Sequence, residues 1–180
     1  MKLSNIKRLT LTALNVALCV VVPMAFHVIP NAGQVMLPMH IPVLLCGLVC
    51  GWQYGLLCGI LGPLVSSVLT SMPPAAMLPG MMVECGMYGC VSGLMMERIH
   101  TGSLYADLYI SLPVAMLVGR VISGIVKALI LTPGLSFTAW VTASFVTAFP
   151  GIMIQLIFLP TLIVALTRAR LIPGRYYSRA

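Results

Sequence analysis

The chain has 180 residues, of which 60% are hydrophobic and only 7% are charged, and its mean hydropathy is +1.07. Soluble domains carry about a quarter charged residues, so this composition excludes a soluble protein and predicts an integral membrane protein. The formal net charge of +7 does not indicate nucleic-acid binding, because the Lys and Arg residues lie at the ends of apolar runs rather than on a water-exposed face. We therefore expect a single membrane domain over residues 1–180 and no nucleic-acid partner.

Six apolar segments alternate with polar, Pro- or Gly-containing connectors. A transmembrane helix takes about 20 apolar residues, so about six helices would use most of the chain. The first segment follows a short basic start, as a signal peptide does, but its apolar run is longer than the roughly 7–15 residues of a signal peptide. The sequence predicts an all-α, compact bundle of six transmembrane helices over residues 9–26, 40–51, 53–69, 76–96, 107–132 and 143–166.

The positive charges orient this bundle in the membrane. Eight of the ten Lys and Arg residues fall on one side of the six-helix layout: Lys2, Lys7, Arg8, Arg98, Arg168, Arg170, Arg175 and Arg179. The positive-inside rule places that side in the cytoplasm. Both termini are therefore predicted to be cytoplasmic, and the loops at 27–38, 70–75 and 133–142 are predicted to face outward.

Small residues recur at helical spacing in several of these segments. Glycine stands at every fourth position in Gly47, Gly51, Gly55 and Gly59, and the fourth predicted helix has Gly86, Gly89 and Gly93 at spacings of three and four. Such edges let helix backbones approach closely in a membrane. The pattern predicts a tight hairpin of the second and third helices, with recruitment of a separate protein as the alternative. Ala13 and Ala17 form another small pair in the first helix.

Charged side chains inside the predicted spans carry the functional signal. A charge near the bilayer centre costs about 2.5–3.5 kcal/mol on insertion scales, so it usually faces a cavity or a partner. Arg120 and Lys127 are seven residues apart and share one face of the fifth helix, about 18 and 8 Å below its outer end. Glu84 lies about 13 Å below the outer end of the fourth helix, and Tyr88 follows one turn later on the same face.

Further polar residues fall in the same predicted outer half, namely His27, Asn31, His40 and Gln155. Two cations against one carboxylate leave a spare positive charge, which favours a pocket for a small water-soluble anion. The alternative is structural. In that interpretation Glu84 pairs with Arg120 to hold two helices together, Lys127 extends outward, and His40 caps a helix.

Catalytic and energising motifs are missing from the sequence. It contains no GxxxxGK[ST], GxSxG or HExxH pattern, so we expect neither an ATPase nor a hydrolase. The six cysteines lie in apolar segments without a CxxC pattern, and we expect them to be packing groups rather than metal ligands: Cys19, Cys46, Cys50, Cys58, Cys85 and Cys90. No cofactor or metal is predicted. The two halves show no clear similarity, which argues against a secondary transporter acting alone.

Several segments resemble the substrate-binding S components of energy-coupling factor (ECF) vitamin transporters. They are His40-Ile41-Pro42, the glycine-rich hairpin, Ser66-Ser67-Val68-Leu69-Thr70-Ser71-Met72-Pro73-Pro74, Glu84, Tyr88-Gly89 and Gly119-Arg120. The resemblance covers about residues 5–165 and is strongest over 39–93. It implies a multi-pass subunit of a prokaryotic cell membrane that captures a vitamin outside and closes loops over it. The subunit then docks on a membrane T component driven by two cytoplasmic ATPases, which use the ATP.

The resemblance also implies roles for particular residues. An AxxxA patch on the first helix of these proteins meets the T component, and Ala13 and Ala17 have this spacing, with the polar Asn15 between them. The block is most similar to pantothenate-type members, and pyridoxine is the alternative substrate. The predicted substrate site comprises His27, Asn31, His40, Glu84, Tyr88, Arg120, Lys127 and Gln155. A hypothesis of another class is a structural or assembly membrane protein without a small ligand.

Overall fold

A computed structural model describes residues 3–25, 35–131 and 136–172. Within these ranges the chain forms α1 Asn5–Ala25, α2 His40–Cys50, α3 Trp52–Thr70, α4 Leu78–Arg98, α5 Leu104–Val126, α6 Phe137–Val141 and α7 Phe149–Arg168. A π-helical turn over Lys127–Leu131 extends α5, and a second over Thr142–Thr147 extends α6. The described residues contain no strand. This part of the chain is therefore all-helical, as predicted.

The helices differ in their ability to cross a bilayer. Four are long and apolar enough to do so: Asn5–Ala25, Trp52–Thr70, Leu104–Ile130 and Phe149–Arg168. Helix α4 has 21 residues but carries Glu84, Glu97 and Arg98. Helix α2 has 11 residues, about 16 Å of helix, which is roughly half of a hydrocarbon core. These helices fit a multi-pass membrane protein, while the count of six spans and the side of the termini stay predictions.

Two helices begin later than the sequence predicted, because a proline sets the first turn. The helices expected at 76–96 and 143–166 instead occupy Leu78–Arg98 and Phe149–Arg168, with Pro79 and Pro150 in their first turns. Proline suits this position, since an amide N–H in the first turn has no acceptor within the helix.

Two other helices begin earlier than predicted. Helix α1 starts at Asn5 rather than residue 9, because the hydroxyl of Ser4 accepts a hydrogen bond from the amide of Lys7 and caps the first turn. Helix α5 starts at Leu104 rather than residue 107, directly after the extended residue Ser103. These shifts lengthen the helices without moving the residues of the predicted site to another element.

Helices α2, α3 and α4 pack so closely that their backbones are in contact. A Cβ atom on Gly55 would lie 2.6 Å from the Cα of Gly47 and 2.7 Å from the carbonyl carbon of Gly89. Only glycine allows helices to approach this closely. The predicted hairpin of the second and third helices is confirmed, and α4 joins it. We refer to Gly47, Gly55, Gly59, Gly89 and Gly93 as the glycine seam.

The contacts also give the helix directions. Helices α2 and α4 run the same way, because His40 lies beside Glu84 and Gly47 lies beside Gly89. Helix α5 runs opposite to α4, because Gly119 contacts Tyr88 while Lys127 contacts Gly80, nearer the start of α4. The starts of α2 and α4 therefore meet the end of α5 at one end of the bundle.

The cysteines belong to the packed interior. All six are free of disulfide bonds, and five of them are buried. Cys46 donates its thiol hydrogen to the carbonyl of Tyr54 at 3.5 Å, and Cys19 donates to the carbonyl of Met39 at 3.7 Å. These contacts are those of small apolar groups with a weak S–H donor, which fits a packing role.

Candidate functional site

Glu84 of α4 lies at the centre of a group of polar and charged side chains, at the end of the bundle where α2 and α4 begin. Its Oε2 accepts a hydrogen bond from Lys127 Nζ at 3.1 Å, and its Oε1 lies 4.0 Å from Arg120 Nε and 3.7 Å from His40 Nε2. The predicted proximity of Glu84 to both cations is confirmed. We refer to His40, Glu84, Tyr88, Arg120, Ser123 and Lys127 as the Glu84 cluster.

Tyr88 connects Arg120 to Glu84. Arg120 Nε donates to the Tyr88 hydroxyl at 2.6 Å, and that hydroxyl donates to Glu84 Oε1 at 3.4 Å. The Tyr88 ring is fully buried and lies against His40, with ring centroids 5.1 Å apart. Gly119 gives the ring its space, because a Cβ at that position would overlap it. Arg120 Nε therefore donates to the Tyr88 hydroxyl and not directly to the carboxylate of Glu84.

Ser123 is a member of the cluster that the sequence analysis missed. Its hydroxyl donates to Glu84 Oε2 at 3.3 Å and to the carbonyl of Arg120 at the same distance. The sequence did contain a signal for it, because residue 123 follows Arg120 by one helical turn and precedes Lys127 by another. A small hydroxyl between two intramembrane cations on one helix face is a candidate for the same site.

The cluster is buried and opens towards Lys127. The side chains of Arg120 and His40 are 2% and 4% exposed, that of Glu84 is 15% exposed and that of Lys127 is 31% exposed. The expectation that Lys127 extends outward in a purely structural arrangement is wrong, since its ammonium group turns back to the carboxylate. Two cations share one carboxylate, so a positive charge remains in surroundings that screen it poorly.

Several buried polar atoms in this region have no hydrogen-bond partner within the described residues. They are Arg120 Nη1, both ring nitrogens of His40, Gln155 Oε1 and Trp140 Nε1. Buried polar groups in folded proteins almost always have such partners. Arg120 and Trp140 can only donate, the amide oxygen of Gln155 can only accept, and His40 can do either. Together these atoms can bind a molecule that offers acceptors and at least one donor.

Gln155 of α7 holds the chain that leads into α2. Its Nε2 donates to the carbonyl of Leu37 at 3.3 Å, three residues before His40, and its side chain is fully buried. Gly151, one turn earlier, lies against the backbone of Val35 and Met36. The remaining two predicted site residues, His27 and Asn31, lie outside the described residues.

The segment Phe137–Thr147 lies beside the cluster, which the sequence analysis did not predict. The Phe145 ring centroid lies 5.6 Å from Arg120 Cζ, a cation–π contact. The Trp140 indole packs against Gly124 of α5 and meets Phe145 edge-on at 5.9 Å between centroids. The signal in the sequence was two aromatic residues in the predicted outward loop, Phe137 and Trp140, and a third, Phe145, at the start of the predicted sixth helix.

The two alanines of the first helix lie on its exposed side. Ala13 and Ala17 are exposed, whereas Asn15 is 5% exposed and donates to the carbonyl of Leu11 at 2.8 Å. Residues two apart on a helix point in nearly opposite directions. Asn15 therefore faces the bundle and leaves the surface between the alanines apolar, together with the exposed Leu14.

Comparison with known proteins assigns the chain to a family. The sequence model described as ECF transporter, substrate-specific component, matches residues 7–163, which is most of the chain. The chain belongs to this family. Searches of curated proteins and of solved structures gave no match.

Family membership confirms the resemblance to S components and makes the protein a substrate-binding component of an ECF transporter. The family consists of transporter subunits and is not an enzyme class. Across residues 3–25, 35–131 and 136–172, no group of three or more His, Cys, Asp or Glu side chains could hold a metal ion. The polar contacts of the candidate site concern one carboxylate, Glu84, and its neighbours Lys127, Arg120 and His40.

Proposed function

We propose that this S component captures a small, water-soluble, anionic vitamin at the Glu84 cluster, and that the vitamin is pantothenate. One observation carries the proposal. Arg120 is 2% exposed, its Nη1 has no hydrogen-bond partner in the described chain, and its carboxylate neighbour lies 4.0 Å from Nε. A buried cation without a bonded counter-charge is unfavourable, and a ligand carboxylate on the guanidinium would supply that charge.

The unpartnered atoms match the functional groups of pantothenate. Its carboxylate suits Arg120 and the partly exposed Lys127, while its hydroxyl and amide groups suit His40 and the free amide oxygen of Gln155. In this arrangement Glu84 stays hydrogen-bonded to Lys127 and can also accept a hydrogen bond from a ligand hydroxyl. Pyridoxine is the second candidate, but it has no carboxylate and would leave the surplus charge uncompensated.

The exposed surface of α1 supports a proposal for the delivery of the vitamin. We propose that the exposed surface around Ala13 and Ala17 docks on the T component of the transporter, and that two cytoplasmic ATPases drive release. The sequence contains no GxxxxGK[ST] pattern, which supports an energy source outside this chain. In this proposal the Glu84 cluster faces the outside of a prokaryotic cell membrane when the vitamin is captured.

Isothermal calorimetry with pantothenate tests the site. We expect Arg120→Ala and Lys127→Ala to weaken binding at least about tenfold, because each removes a charge-assisted hydrogen bond to the carboxylate. Arg98→Ala is the matched control, since Arg98 is an exposed cation at the far end of α4. Unchanged affinity in both cluster variants would exclude the carboxylate contact.

Two further measurements test the identity of the substrate and the partners. Mass spectrometry of ligand retained by the purified protein should detect pantothenate, and detection of pyridoxine instead would favour the second candidate. Co-purification should recover a T component and two ATPases. Recovery of an unrelated enzyme complex would favour the assembly-protein hypothesis, against which family membership already argues.

A further inference from the structure

Trp140 has a buried hydrogen-bond donor that the fold itself does not use. Its Nε1 is inaccessible to solvent and has no partner within the described residues, although the rest of the side chain is only half-buried. Its neighbours are Gly124, against which the indole packs, and the rings of Phe137 and Phe145, whose centroids lie 5.8 and 5.9 Å away. None of these contacts provides the indole N–H with a hydrogen bond.

Packing at a membrane surface does not account for this arrangement. Tryptophans at the membrane interface place the ring in the apolar region and the N–H among headgroups and water. Here the N–H is the buried part, and Nε1 lies against Gly124 of α5. A phenylalanine would fill an apolar contact of this kind without the unfavourable burial of a donor.

The indole lies next to the candidate site. Gly124 follows Arg120 by one helical turn, so both residues lie on the same face of α5, about 6 Å apart along the axis. Phe145 contacts both the Arg120 guanidinium and the Trp140 ring. Two donors without partners, Arg120 Nη1 and Trp140 Nε1, are therefore placed along the same face of one helix.

We propose that Trp140 is a ligand-binding residue whose indole N–H donates to a neutral acceptor of the captured molecule. The ligand class that fits carries an anionic group for Arg120 and, about one helical turn away, a separate carbonyl or hydroxyl oxygen for Trp140. The inference rests on the proposed function, since it uses the same site. It adds specificity, because a ligand with the anionic group alone would leave the indole N–H unpaired.

Calorimetry with pantothenate on two variants of Trp140 tests this role. Trp140→Phe removes the donor and part of the ring, while incorporation of 3-benzothienylalanine at position 140 keeps the bicyclic shape and replaces N–H by sulfur. We expect both to bind pantothenate about tenfold more weakly, the loss of one hydrogen bond that leaves a buried acceptor unpaired. The ligand-free benzothienyl variant should be as heat-stable as the wild type, because the shape of the ring is kept and the donor has no partner within the described residues.

Trp52→Phe is the matched control, because it makes the same chemical change at the start of α3 and the chain has only these two tryptophans. It should leave the affinity unchanged, and in this background the emission of Trp140 alone should shift when pantothenate binds. Unchanged affinity in both Trp140 variants would overturn the inference. Full affinity in the benzothienyl variant alone would overturn it too, since ring size rather than the N–H would then decide binding. A wild-type protein that binds no pantothenate would instead overturn the proposed substrate, and this inference with it.

Discussion

Replacement of Glu84 by glutamine tests whether one carboxylate holds the charged cluster together. The amide keeps the size of the side chain and one of the two acceptor oxygens to which Tyr88 and Ser123 donate. It removes the negative charge that faces Lys127 at 3.1 Å and Arg120 at 4.0 Å. Removal of one partner from a buried ion pair destabilises a protein by about 3–5 kcal/mol. The 31% exposure of Lys127 places the expected loss towards the lower end of this range.

Thermal unfolding in detergent measures this loss. At about 2–4 °C per kcal/mol for chains of 150–250 residues, a loss of about 3 kcal/mol lowers the midpoint of Glu84→Gln by about 6–12 °C. Glu97→Gln is the control, because Glu97 is an exposed carboxylate on the same helix. Saturating pantothenate should narrow the difference, since its carboxylate replaces the missing charge. Equal midpoints for the two variants would refute the argument that Glu84 compensates the buried cations.

Two further predictions concern packing and hydrogen bonding. Gly89→Ala places a methyl group against the backbone of Gly55 and should cost about 1–3 kcal/mol in the free energy of unfolding. Gly86→Ala meets only the side chains of Leu56 and Ile60 and should cost less. The reverse order in thermal unfolding would contradict the close backbone contact. Ser66→Ala should cost about 1 kcal/mol, because the Ser66 hydroxyl donates to the following loop at 2.7 Å. Ser111→Ala should cost nothing, because that buried hydroxyl has no partner in the described chain, and an equal loss in both variants would contradict this assignment.

The position of Glu84 between two cations could be predicted because α4 and α5 are regular helices. A constant rise per residue converts sequence distance into depth, and a seven-residue spacing keeps Arg120 and Lys127 on one face. The same geometry places Asn15 opposite Ala13 and Ala17, so its inward position was also available from the sequence.

The part of the site that the sequence did not predict depends on side-chain choices between elements. No spacing rule indicates that Arg120 donates to Tyr88 rather than directly to Glu84, since this depends on which acceptor lies nearest in three dimensions. The segment Phe137–Thr147 was predicted partly as a loop, because it is short and contains polar residues. It is helical in the structure, where its aromatic side chains contact α5. Tertiary contacts of this kind decide the secondary structure where the local sequence pattern favours a loop.

The glycine seam limits where the protein can change shape. At Gly55 and Gly89 one main chain rests directly on another, so no side chain there can rotate, shorten or make room for sliding. We therefore expect α2, α3 and α4 to behave as a single rigid body throughout the working cycle. We expect any opening that admits or releases the ligand to come from elements that pack through side chains. Among the described residues, Phe137–Thr147 is such an element, and it contacts Arg120 through Phe145.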